Sequence, residues 1–184
     1  MLRPLSAVAA VLALTACGSE PSEPRTVDEV IAEAGELDSP RPGQYETKVE
    51  LIEFSIPGLP PQQADQMKSM MGKMQAENNA YCLTEAEAKK GFEDQVRKMT
   101  QGEGQMDCQF GRFDVDGGKL DAQLTCKGPQ GMTAEMTLDG TTGAESSSMH
   151  MTMVQKAAMI PGGEMRMEMK MDSKRVGECL SAGA

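Results

Sequence analysis

Five cysteines, one histidine and 17 methionines hold the reactive chemistry of this 184-residue chain. A thiol can bond a second thiol, carry an acyl chain or ligate a metal, and a thioether is a soft ligand for Cu(I) or Ag(I). Spacing decides among these. No two cysteines stand as C-x-x-C, the arrangement that zinc sites and dithiol redox motifs use, so neither chemistry is expected. Cys108 and Cys126 instead flank Asp116-Gly117-Gly118, where glycine accepts the positive φ of a tight hairpin turn. Folding the run about Gly117 sets Asp114 opposite Leu120, Phe110 opposite Leu124 and Cys108 opposite Cys126. The expected bond is a structural staple, and its partner bond then joins Cys82 to Cys179. Each is expected to contribute about 2 to 4 kcal/mol.

The fifth cysteine has a different environment. Residues 1–17 read MLRPLSAVAAVLALTAC, with one positive charge at Arg3, an apolar run and small residues before Cys17. The run is shorter than the ~20 residues a membrane span needs, and it reads as an export signal. Leu14-Thr15-Ala16-Cys17 resembles the bacterial lipobox, in which the leader is removed and the cysteine acylated. Ordinary secretory cleavage after Ala16, leaving a free thiol, is the plainer alternative. Gly18 is not the Asp that resembles an inner-membrane retention signal, which points to the outer membrane. Export also explains how disulfides form, since the periplasm is oxidising.

Met149, His150, Met151 and Met153 are the candidates for soft-metal ligation, close to a second alternating row at Met165, Met167, Met169 and Met171. The pleat works against a mixed site. Residues two apart in a strand share a face, so Met149, Met151 and Met153 point away from His150. The expectation is that both rows fill a core short of aromatics, as Met readily does. Met67, Met70, Met71 and Met74 recur at helical spacing and are expected to cover the sheet. His150 is the only histidine, and no G-x-S-x-G elbow accompanies Ser146, Ser147 and Ser148. Asp114, Asp116 and Glu145 suit turns better than acid–base work, and Asp114 to Gly118 is too sparse in oxygen ligands for calcium. No catalytic residue and no cofactor are expected.

The formal net charge of −10 argues against a nucleic-acid partner, because a phosphate backbone demands a basic surface. Gly18 to Arg25 is rich in Ser, Glu and Pro and reads as a tether. Thr26 with Glu29 forms a capping box for a short helix to Ala34. Ser39-Pro40-Arg41-Pro42-Gly43 then marks the domain entrance. Alternation from Gln44 to about Ile56 predicts a strand, and Gln62 to Glu77 an amphipathic helix. Thr84 and Glu87 form a second capping box, opening a helix to about Met99 with Ala88, Phe92, Val96 and Met99 inward. Gln101 to Gln105 is a loop into the hairpin. Beyond it, strands are expected near Met132 to Leu138, over SSSMHMTMV at Ser146 to Val154, and over EMRMEMKMD at Glu164 to Asp172.

Several of these stretches fall in one order. They are the lipobox, Pro42-Gly43-Gln44-Tyr45-Glu46, Tyr81-Cys82-Leu83-Thr84, Cys108, Phe113-Asp114-Val115-Asp116-Gly117-Gly118-Lys119, Leu124-Thr125-Cys126, Met149-His150-Met151-Thr152-Met153 and Arg175-Val176-Gly177-Glu178-Cys179. Together they resemble the domain of unknown function 3617 family, small exported proteins of proteobacteria, over Pro42 to Cys179. The resemblance implies no reaction, cofactor or catalytic residue. Members often carry Trp where this chain has Tyr45.

The fold expected is mainly β with α insertions: a curved antiparallel meander sheet of six or seven strands with two helices packed on one face. Residues 1–16 form the leader, 17–42 the lipidated cysteine and flexible tether, and 43–184 one disulfide-stapled domain. The function expected is a non-catalytic binding or interaction module, held to a membrane by its lipid and facing the periplasm. It would take an apolar ligand or an envelope protein as partner. Soft-metal binding by exposed Met with His150 is the alternative, and a purely structural envelope role a third.

Overall fold

The computed structural model describes residues 24–77, 79–101 and 106–179, with the side chains of 74–77 excepted. Cys17 with its leader, residues 102–105 of the expected loop and the side chain of Met74 lie outside this description. Seven strands form one open antiparallel sheet: β1 (Gly43–Ser55), β2 (Ala80–Leu83), β3 (Asp107–Asp116), β4 (Lys119–Lys127), β5 (Thr133–Thr142), β6 (Ser146–Lys156) and β7 (Glu164–Gly177). Their order is β2-β1-β7-β6-β5-β4-β3. From β3 to β7 the chain meanders, each strand pairing with the next. The first long strand then closes against the last, from Gln44 opposite Gly177 to Ser55 opposite Arg166.

Period-two alternation gives the sheet one apolar and one polar face, because directly opposed residues share a face. Leu138 faces Met151, which faces Met169, which faces Leu51. The next row is Met136, Met153, Met167 and Phe54. Both methionine rows therefore lie on the face that carries Phe110, Phe113, Leu124 and Ala134 in the core. Met169 is 7% exposed and the other methionines of the two rows are half-buried.

Four helices accompany the sheet among the described residues, of which the first and the last cover the β3–β5 end of this face while the second lies against β1. They are α1 (Val27–Ala34), α2 (Pro61–Glu77), α3 (Glu85–Lys90) and α4 (Glu93–Thr100). Val30 of α1 is fully buried and Val96 of α4 nearly so, in one cluster with Phe110 and Leu124. α1 is thus part of the folded domain, and the expected tether over 17–42 is corrected: chain from Arg25 onward is tied down. The Arg25 amide donates to the Phe110 carbonyl at 2.8 Å, and its guanidinium pairs with Glu33 and Asp114. Both expected capping boxes form, Thr26 with Glu29 and Thr84 with Glu87.

Three further expectations are revised. The helix opened by Thr84 breaks at Gly91, whose φ of 54° no helical residue shares, so α3 and α4 are separate. Tyr81-Cys82-Leu83, which leads into the Thr84 cap, is a short edge strand, β2, paired with β1. The methionine stripe of α2 does not cover the sheet as a buried layer: Met67 is 36% and Met70 57% exposed, and only Ala64 and Met71 are drawn in among the side chains described. In the hairpin, Phe110 faces Leu124 and Cys108 faces Cys126, but Asp114 faces Asp121 and Val115 faces Leu120. The turn spans two residues, Gly117 and Gly118, both at positive φ, and a bulge at Gly111 restores the register further down. Arg112 and Arg25 offset the opposed carboxylates of Asp121 and Asp114.

Candidate functional site

Two disulfides frame the molecule. Cys108–Cys126 crosses the β3–β4 hairpin with α-carbons 4.0 Å apart, and Cys82–Cys179 ties edge strand β2 to the end of the chain. Cys82 is adjacent to the point where Gln44 meets Gly177, so this second bond locks three chain segments together.

Between the apolar face and the helices lies a cavity of about 450 Å³, within the ~300–1,000 Å³ typical of small-molecule sites. Its deep walls come from Phe110, Phe113 and Leu124 on the sheet and Val96 and Met99 on α4. Met136, Leu138, Met149 and Met151 form the floor. Met149 lies flat over Gly140 of the neighbouring strand, where a β-carbon would sit 2.9 Å from its sulfur. The mouth is bordered by exposed Asp38, Gln95, Tyr81 and Ser146. There Tyr81 stacks on Tyr45 with ring centroids 5.4 Å apart. The Tyr45 hydroxyl donates to the Arg41 carbonyl at 2.8 Å, and burial raises its pKa.

Sheet register makes this cavity two-ended. Thr142 faces Ser147, Ser147 faces Ser173 and Ser173 faces Thr47, so one transverse row across four strands carries only hydroxyls. Thr142, Ser147 and Ser173 line the cavity, while Thr47 donates to the Ser173 hydroxyl at 3.0 Å. The next rows inward are apolar. The Thr142 hydroxyl is fully buried and has no hydrogen-bond partner among the described residues. An unpaired buried hydroxyl is costly, and such groups mark places where a partner is expected.

A family model described as "Protein of unknown function (DUF3617)" matches residues 40–179. The chain belongs to the DUF3617 family. No curated protein and no solved structure matches it. The DUF3617 match contains the whole sheet, both disulfides and every cavity residue named above except Asp38, which precedes its first residue, Pro40. Helix α1, with the core residues Val30 and Ala34, precedes it also.

In this DUF3617 chain the candidate metal ligands are divided between the two faces. Met149 and Met151 line the cavity and Met153 packs against the core cluster, whereas His150 projects from the polar face. Its Nδ1 lies 3.1 Å from Asp139 and its Nε2 2.9 Å from Glu168. The bond to Glu168, then that to Asp139, raises the imidazole pKa above its ordinary value. Sequence reasoning missed Thr142, Ser173 and the Tyr45–Tyr81 stack. A threonine at a strand end beside Asp139-Gly140 carries no signal of its own; only cross-strand register puts it in a row with Ser147 and Ser173.

Proposed function

We propose that this protein is a non-catalytic binding module that holds an apolar ligand between its sheet and helices. The observation that carries the reading is the 450 Å³ cavity, whose deep walls are aromatic and aliphatic side chains and methionine thioethers. Such a lining recognises hydrocarbon through desolvation rather than directed bonds. The leader and the Leu14-Thr15-Ala16-Cys17 sequence support acylation at Cys17, anchorage to a membrane of the bacterial envelope and a domain facing the periplasm. Gly18 after the cysteine favours the outer membrane. The net charge of −10 argues against a nucleic-acid partner. Among the described residues no helix is long and apolar enough to cross a membrane.

The experiment is fluorescence titration of the purified protein with N-phenyl-1-naphthylamine, alongside solvent extraction and mass spectrometry of whatever copurifies. Saturable binding that is lost on filling the cavity, as in Leu138→Trp, supports the module. Absence of saturable binding by a folded protein sinks it. Labelling with radioactive palmitate, present in the wild type and absent in Cys17→Ser, tests the anchor.

A second reading, soft-metal binding, draws on one specific observation: Met149 faces Met171, Met151 faces Met169 and Met153 faces Met167, which brings three thioether pairs onto one face. Anaerobic titration with Cu(I) and Ag(I), followed by native mass spectrometry, decides it. Stoichiometric binding weakened by Met151→Leu with Met169→Leu supports it, and no binding removes it.

A further inference from the structure

The cavity has a polar end of a particular kind. We propose that its ligand is an uncharged single-chain amphiphile, whose head carries a hydroxyl, ester or amide group, seated with that head on the Thr142–Ser147–Ser173 row and its chain directed along the methionine floor. This rests on the reading of the cavity as a ligand site and goes further by naming the class of head group.

Three observations carry it. The first is the order of the rows. The hydroxyl row is followed inward by Gly140, Met149 and Met171, then by Leu138, Met151 and Met169, then by Met136, Met153 and Met167. From Thr142 to Met136 the strand advances about 20 Å, at ~3.3 Å per residue. Polarity therefore changes once along the floor, at one end, which matches a molecule with one polar terminus.

The second is the Thr142 hydroxyl, which is closed off from solvent and without a partner among the described residues on a side chain that lines the cavity, so that a turn about its χ1 would present an unpaired hydroxyl to a ligand head. A hydroxyl both donates and accepts, so it suits a neutral head presenting a carbonyl or another hydroxyl.

The third is charge. Among the described residues lining the cavity there is no lysine or arginine, and the one charged group is Asp38 at the mouth. The two guanidinium groups nearest the Tyr45 hydroxyl end are already engaged. Arg41 pairs with Glu145 at 2.8 Å, and Arg175 pairs with Glu178 while donating to the Pro42 carbonyl. Carboxylate and phosphate heads demand charge-assisted donors, and bringing one here would desolvate an anion beside an acid. The same chain with a neutral head meets no such penalty.

The test uses the full chain carrying Cys17→Ser, so that no covalent acyl chain competes. N-phenyl-1-naphthylamine is bound first, then displaced by monolaurin or by laurate at a pH where laurate is ionised, two competitors with one chain and different heads. Monolaurin is expected to displace the probe at a concentration at least tenfold lower than laurate. Thr142→Val keeps the shape and removes the hydroxyl. It is expected to weaken monolaurin about fivefold relative to the probe, the loss of roughly one neutral hydrogen bond. Thr142→Ser is expected to retain monolaurin binding. Laurate equal to or better than monolaurin, or a Thr142→Val protein that binds monolaurin as the wild type does, overturns the head-group assignment while the cavity reading stands. Failure of the probe itself to bind overturns the cavity reading.

Discussion

Cys108 faces Cys126 across the β3–β4 hairpin, their α-carbons 4.0 Å apart, although a two-residue turn alone would put them one position out of register. The bulge at Gly111 supplies the missing residue. This bond closes a loop of 18 residues, whereas Cys82–Cys179 closes one of 97. In the chain-entropy account, the shorter loop is worth about 3 kcal/mol and the longer between 4 and 5, roughly. Denaturant unfolding of the two double-alanine variants is expected to show the greater loss for Cys82/Cys179. A greater loss for the hairpin pair would mean that native packing around Cys126, rather than loop closure, governs the cost.

Helix α1 is expected to behave as core and α2 as surface. Val30→Ala, at a position with no exposure, should cost about 2 kcal/mol through lost burial and the cavity left behind. Met70→Ser, on the exposed stripe of α2, should stay within about 0.5 kcal/mol of the wild type. Thermal and denaturant melts of both variants check the contrast. A neutral Val30→Ala would place α1 outside the cooperative unit.

His150 sits between Asp139 and Glu168 on the polar face, with Lys170 directly opposite on β7. The two carboxylates, Glu168 first, raise its pKa from the ordinary value of 6.5. The stabilisation is therefore present in full below that ordinary value and is lost as pH rises through the raised folded value. Wild-type Tm should fall more steeply than the Tm of His150→Gln as pH rises above the ordinary imidazole value of 6.5. Parallel pH profiles for the two proteins would show that Lys170 and solvent cancel the effect.

The Thr84–Glu87 box titrates in the opposite sense. Hydrogen bonds from the Thr84 hydroxyl and amide lower the Glu87 pKa below its ordinary value of 4.5. Its contribution is present above the ordinary value and lost as pH falls through the lowered one. Glu87→Gln should lower Tm at neutral pH and flatten the acid limb of the stability profile, as read by circular dichroism melts. An unchanged acid limb would assign acid sensitivity to other carboxylates.

Gly140 admits Met149 to the cavity floor. A β-carbon there would lie 2.1 Å from the Ser148 carbonyl oxygen and 2.9 Å from the Met149 sulfur. Gly140→Ala is expected to cost about 1 to 3 kcal/mol by overpacking and to reduce probe binding in the cavity. A variant as stable as the wild type would show that β5 and β6 separate freely at this point.

Much of the architecture was legible locally. Alternation over Glu164 to Asp172 marked a two-faced strand, Thr26 and Thr84 marked two helix starts, and Gly117-Gly118 marked the hairpin. Each of these signals lies within a few residues of what it specifies, so the chain's own chemistry suffices to read it. The pleat likewise set Met149, Met151 and Met153 against His150 before any partner strand was known.

What the sequence by itself determined is therefore the six longer strands, their faces, the hairpin turn and the helix caps, but not the bulge at Gly111 that lets Cys108 meet Cys126. Tertiary structure alone decided that α1 is core and the α2 methionines are surface, because a helical stripe says which side is apolar but not whether anything lies against it. It alone decided the cavity as well. Thr142, Ser147, Ser173 and Thr47 come from four strands, and only antiparallel register, which adds up over successive ladders, turns four scattered hydroxyls into one row.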